Sequence, residues 1–236
     1  VQEDALAPTH HDDGGGNSGF YSIAVPRWLL YKTWIEEAED LYEHPRGGDK
    51  YDGDSSGGES ILYLLTDTRD VYFQRDPFAD IESEMHGTRG GRRQPFDLYL
   101  FEEWSNMTIG TCKHNSDWVH SCWGPAMQKR LASYPIICSG TVMGTGHGIQ
   151  HLIRALVNEV KFVNELRASE SARARLSIPP ANTAKHGRPC VNDQAFVNVI
   201  LRGGAGNNTA LKGLINNQRV KIFEQGFGPG IPFGWL

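Results

Sequence analysis

The sequence predicts an α/β fold with a mixed, mostly parallel sheet flanked by helices. Apolar runs short enough for strands alternate with segments of helical periodicity, which is the pattern of that class. The run Ile61-Leu62-Tyr63-Leu64-Leu65 is continuously apolar and lies between a Gly/Asp/Ser loop and a carboxylate cluster, as a buried parallel strand would. Residues 148–167 carry Ile149, Leu152, Ile153, Leu156, Val160 and Val163 as one apolar stripe, as a helix on a sheet would.

The other elements follow in order. Residues 1–19 are polar, end in Asp12-Asp13-Gly14-Gly15-Gly16-Asn17 and read as a loosely attached arm before a single domain over 20–236. His10-His11-Asp12-Asp13 holds metal-ligand types, but nothing rigid fixes them, so a solvated tail is the plainer reading. Residues 25–43 read as a helix, with Trp28, Leu29, Tyr31, Ile35, Ala38 and Leu41 at helical spacing and Pro26 in the first turn. Residues 44–59 are a loop, and Phe96 to Phe101 alternates as a second strand. Residues 84–94 form a basic loop around Arg89, Arg92 and Arg93. Residues 112–130 show no clear period. Ile136-Ile137-Cys138 reads as a short buried strand ending at Ser139-Gly140. Asp193 to Leu201 is a short helix with Phe196, Val199 and Ile200 on one side. Arg219 to Phe223 is a late strand, and 226–235 is Gly- and Pro-rich.

Composition narrows the function. The chain has 236 residues, 39% apolar and 22% charged, which suits one sizeable globular domain. A net charge of −5 argues against a general nucleic-acid binder, which needs a basic face. No apolar run reaches the roughly 20 residues that span a bilayer. The Val1 start reads as a trimmed or processed piece, which leaves room for a removed membrane anchor. The cysteines are Cys112, Cys122, Cys138 and Cys190, with no CxxC pair, so a zinc knuckle is not expected. Three disulfide connectivities are open, with Cys112–Cys122 plus Cys138–Cys190 the first choice; four reduced thiols are the alternative. The sequons at Asn106 and Asn207 favour a secretory route.

Chemistry concentrates in Leu64-Leu65-Thr66-Asp67-Thr68-Arg69-Asp70-Val71-Tyr72-Phe73-Gln74-Arg75-Asp76-Pro77-Phe78. A strand ends and two carboxylates follow, where ligands bind in open α/β sheets. Carboxylates there suit a hard dication that shares its shell with phosphate oxygens. Arg69 could meet a phosphate or pair with a carboxylate. The plainer reading is an Asp-rich turn neutralised by Arg69 or Arg75.

This segment resembles the DxD region of GT-A-fold nucleotide-sugar glycosyltransferases, of the eukaryotic and algal type with D-x-R-D-V, an aromatic, Gln and D-P-F. The resemblance implies a GT-A-like, Rossmann-like fold. It implies a donor site in which Asp67 and Asp70 hold Mn²⁺ or Mg²⁺ and a nucleotide-diphosphate sugar, with Asp70 the first choice for direct metal contact. Three further stretches fit that family. Arg27-Trp28-Leu29-Leu30-Tyr31 resembles the helix that carries a basic residue and an aromatic near the nucleotide. Cys138 to Thr145 resembles the small-residue stretch after a core strand, where Gly140 lets backbone approach the donor sugar or acceptor. Asn192-Asp193-Gln194-Ala195-Phe196-Val197-Asn198 resembles a late D-Q-x-x-x-N element. There Asp193 would act as general base on an acceptor hydroxyl, or position the acceptor, with Gln194 beside it; Asp193 as a plain helix N-cap is the alternative. Trp118 and Trp123 are sugar-stacking or buried residues.

The pattern also departs from the family. The carboxylates stand three apart, no convincing nucleobase-gripping strand precedes Arg27, and the last histidine is His186. The expected function is metal-dependent transfer of a sugar to an acceptor hydroxyl on a glycan or protein, in the Golgi lumen or outside the cell. The alternatives are a non-catalytic sugar- or partner-binding domain of the same fold, and a metal-dependent phosphohydrolase or nuclease.

Overall fold

The computed structural model of the chain describes residues 24–43, 61–67, 76–79, 81, 96–103, 106–179, 190, 192–204 and 209–224. The arm at 1–19, the loops at 44–59 and 84–94, Arg69, Asp70, Asn207 and the tail at 226–235 lie outside these residues.

The described elements run α1 (Ala24–Glu43), β1 (Leu62–Thr66), β2 (Leu98–Glu102), α2 (Lys113–Trp123), α3 (Pro125–Leu131), β3 (Ile137–Thr145), α4 (Gly146–Ala168), α5 (Glu170–Leu176), α6 (Asp193–Arg202), α7 (Thr209–Asn216) and β4 (Val220–Phe223). The strands form one four-stranded sheet in the order β1-β3-β2-β4. The α/β class and the flanking helices agree with the sequence. The mostly parallel arrangement does not: β3 runs antiparallel to both β1 and β2, and only β2 and β4 are parallel. The continuous apolar run in β1 has another cause. Tyr63 and Leu65 pack against the main core, while Leu62 and Leu64 pack against a second cluster around Ile81, Tyr99, Phe101 and Met143. Cover on both faces removes the polar alternation without fixing strand direction. Nor is β1 central; it is an outer strand of the described sheet and half-buried.

Helices α1 and α4 pack against the face of the sheet that carries the main core. Trp28 and Ile35 of α1 and the stripe Ile149, Leu152, Ile153, Leu156, Val160 and Val163 of α4 join Leu98, Leu100 and Val142 of the sheet in one core. Each such side chain stabilises the fold by roughly 1.5–3 kcal/mol through burial. Leu41, placed on the α1 stripe by its spacing, is instead exposed.

β3 is the largest departure from the sequence reading. It continues through Ser139-Gly140-Thr141-Val142-Met143-Gly144-Thr145 as the strand between β1 and β2. Ser139, Gly140 and Gly144, which have weak strand preference, are held in strand because both neighbours supply ladder partners, alongside Thr141 and Val142, which favour it. Thr145 ends the strand and caps α4, its Oγ1 accepting from Gly148 N at 3.1 Å. Residues 112–130 hold two helices broken at Gly124, whose φ of 84° lies in the left-handed region and whose Cβ position would meet Leu176 O at 2.3 Å.

One disulfide, Cys122–Cys190, ties the end of α2 to the approach to α6, while Cys112 and Cys138 are free thiols. The expected pairs Cys112–Cys122 and Cys138–Cys190 are therefore corrected. Cys112 stands just ahead of α2 beside Asn115, and Cys138 lies within β3, where burial pushes its thiol up to about 12. Among the described residues no helix is long and apolar enough to cross a membrane.

Candidate functional site

Four of the elements meet at Arg27. Its place in the first turns of α1 sets it beside the end of β1, the start of β3 and the start of α6. Nη1 donates to Asp67 Oδ1 at 2.5 Å. Nη2 donates to Asp193 Oδ2 and, at 3.2 Å, to Ser139 O. Asp193 is held from two more sides: Trp28 Nε1 donates to Oδ2 at 3.0 Å, and Ser139 Oγ to Oδ1 at 3.2 Å. Burial opposes the charge on Arg27, but Asp193 and then Asp67 outweigh it and raise the guanidinium pKa. Burial raises the nearby Tyr31 hydroxyl as well; Arg27 opposes this, and Asp67 and Asp193 add to it.

The two carboxylates differ in exposure. The Asp193 side chain is 9% exposed and the Asp67 side chain 44%. Asp67 therefore forms the open lip of the cluster and Asp193 its floor. The backbone fixes the lip, since Asp67 N donates to Gly140 O at 2.7 Å. A Cβ at Gly140 would lie 2.6 Å from Asp67 Oδ2, so a larger residue there would displace the carboxylate from this position. A glycine at this position leaves space for the carboxylate, rather than for backbone approach in a turn.

The helix start beneath Asp193 is built by its neighbours. Asn192 is the cap, its Oδ1 accepting from Gln194 N at 2.9 Å, so Asp193 is the first helical residue and not the cap. Gln194 Nε2 donates to Asn115 Oδ1 at 3.2 Å. Gln194 also bonds Glu103, whose pKa is raised by burial and lowered less by that bond. Asn198 locks α6 to β3: Ile137 N donates to its Oδ1 at 2.8 Å, and its Nδ2 donates to Ile137 O at 2.9 Å. That clamp sets Asp193 opposite Ser139.

Thus Arg27, Asp67, Gly140 and Asp193, chosen from separate stretches of sequence, come together, while the Gln194 side chain turns to Asn115 and Glu103. Arg69 and Asp70 lie outside the described residues. Sequence reasoning missed Ser139, adjacent to a chosen residue but with a side chain that carries no signature of its own, and it expected an aromatic of the Arg27–Tyr31 stretch near the site without singling out Trp28. Trp123 is buried with Nε1 on Glu159 Oε1 at 2.7 Å, which is a core role.

The described residues of this cluster do not by themselves fit a divalent cation. Among them no group of three or more His, Cys, Asp or Glu is clustered to hold one. Asp67 contributes one carboxylate, and Arg27 already neutralises its Oδ1. The Arg27–Asp67–Asp193 cluster has a formal charge of −1, which repels a diphosphate unless a further positive group joins it.

Compared with protein-family models, with curated proteins and with solved structures, the chain matches none.

Proposed function

We propose that this chain is a glycosyltransferase domain that takes a nucleotide-diphosphate sugar as donor and an acceptor hydroxyl as nucleophile. One observation carries the reading: Asp67 and Asp193, picked from separate stretches of sequence as donor-site residues, both bond the guanidinium of Arg27, a third such residue, and Gly140 bonds Asp67. Structural Asp turns do not require distant stretches to meet.

In this reading each residue has a task set by its exposure. Asp67, the exposed carboxylate, accepts hydrogen bonds from donor hydroxyls. Arg27 holds Asp67 in place and lends positive charge to the lip. Asp193 is a positioning residue, since both its oxygens are engaged by Arg27, Trp28 and Ser139. Service as general base would require it to give up those bonds. A Mn²⁺ or Mg²⁺ ion in the site depends on Asp70 and on phosphate oxygens of the donor. The disulfide suits an oxidising compartment, so we place the protein in the Golgi lumen or outside the cell.

A second reading has its own support. The same engagement of Asp193, and of one Asp67 oxygen, suits a non-catalytic sugar-binding domain of this fold. Calorimetry with UDP and GDP, with and without Mn²⁺, decides between them. Nucleotide binding that needs Mn²⁺ and is lost in Asp67→Ala and Asp70→Ala supports the transferase. Absence of nucleotide binding under either condition overturns it and leaves the binding domain.

A further inference from the structure

At the other end of β3, away from the Arg27 cluster, two histidines stand one turn apart on α4. His147 Nε2 and His151 Nε2 share a hydrogen bond at 3.1 Å, the donor set by the tautomers, with ring centroids 4.3 Å apart. His147 is exposed and His151 half-buried.

The spacing is that of two ligands on one metal ion. With metal–nitrogen bonds of 2.0–2.1 Å, two cis imidazoles lie about 2.9 Å apart at a right angle and about 3.4 Å apart at the tetrahedral angle. The observed separation falls between these values, so an ion can bridge the pair with small side-chain adjustment. The i, i+4 placement on a helix fixes both rings to one face before any ion arrives. The helix itself is anchored, being capped by Thr145 and packed along its apolar stripe.

We propose that His147 and His151 form a two-imidazole clamp for a borderline transition-metal dication, Zn²⁺ or Cu²⁺. Imidazole suits these ions, whereas Mg²⁺ and Mn²⁺ prefer carboxylate and phosphate oxygen. Nδ1 of His151 is buried without a hydrogen-bond partner, so Nε2 is the nitrogen that faces a ligand. Among the described residues no third donor joins the pair, so solvent completes the shell. The clamp is separate from the proposed donor site. Gly140 and Thr145 are five residues apart along β3, roughly 17 Å at strand rise. The ion would tie together the first two turns of α4.

Titration of the full chain with Cu²⁺ alone and Zn²⁺ alone tests this, by calorimetry and by nitrogen hyperfine splitting in the Cu²⁺ spin-resonance spectrum. Wild type, His147→Ala, His151→Ala and the control His114→Ala are compared. The expected result is a Cu²⁺ site with two-nitrogen splitting, weakened roughly tenfold or more in each α4 variant and unchanged in the control. Millimolar Mg²⁺ should not displace the ion. Wild-type affinity in both α4 variants overturns the proposal, as does absence of binding at millimolar Cu²⁺ and Zn²⁺. His147 is exposed, so the His147→Ala result does not depend on a core rearrangement.

Discussion

Replacing Arg27 with methionine keeps the aliphatic stem and removes the guanidinium. Two carboxylates lose their partner, and the structure assigns them unequal costs. Asp193 has a side chain only 9% exposed, so its charge is left in the core with Trp28 and Ser139 as remaining donors. Breaking a buried pair from one side costs roughly 3–5 kcal/mol, and the two surviving hydrogen bonds place this case near the lower end, about 3 kcal/mol. Asp67 is 44% exposed, and water takes over from the arginine, so its share is at most about 1 kcal/mol. For a chain of this size a loss near 3 kcal/mol lowers Tm by roughly 6–12 °C. Urea denaturation followed by tryptophan fluorescence measures it directly, because Trp28 lies in the cluster. Two double-mutant cycles then separate the pairs. Arg27→Met with Asp193→Asn should give a coupling energy of about 2–3 kcal/mol, and with Asp67→Asn less than about 1 kcal/mol. Equal couplings, or an Arg27→Met cost below about 1 kcal/mol, would refute the assignment of floor and lip.

Three more outcomes follow from the same structure. Asn198→Ala strands the Ile137 N–H and C=O in a buried strand, and should cost about 2–4 kcal/mol in chemical denaturation while raising hydrogen exchange across α6. Burial raises the pKa of Glu159 above its ordinary 4.5, with the Trp123 bond opposing. Its favourable contribution is therefore full below the unfolded pKa and lost as pH rises through the folded one. Glu159→Gln, which can still accept from Trp123, should match wild type in denaturation below about pH 4 and exceed it near neutrality; a variant less stable than wild type at pH 7 contradicts this. Cys190→Ser opens a 68-residue link and should cost roughly 4 kcal/mol on loop entropy, while thiol titration of unreduced, denatured wild type should find only Cys112 and Cys138 reactive.

What could be read in advance was local. The stripes of α1, α4 and α6 were legible because a helix buries one face at a fixed period, and Trp28, Ile153 and Phe196 repeat at it. The β1 strand was legible as an apolar run, β2 from its alternation, and the Asp67 segment as carboxylates at a strand end. The α2 and α3 helices were not, because their boundary is set by Gly124 against Leu176 from a later helix. The helix start at Asp193 was visible, but its cap is Asn192, one residue earlier.

The sequence by itself determined the α/β class and the main helices, because those depend on residue type and short-range periodicity, while Arg27, Asp67, Gly140, Asp193 and Gln194 were chosen on a family resemblance. Strand direction, the full length of β3, the Cys122–Cys190 pairing and the meeting of two aspartates on one guanidinium were decided only in the tertiary structure. A strand pairs in either direction with the same side chains, a Ser-Gly-Thr stretch becomes strand only between two neighbours, and a carboxylate's partner is whichever cation the packed helices bring within reach.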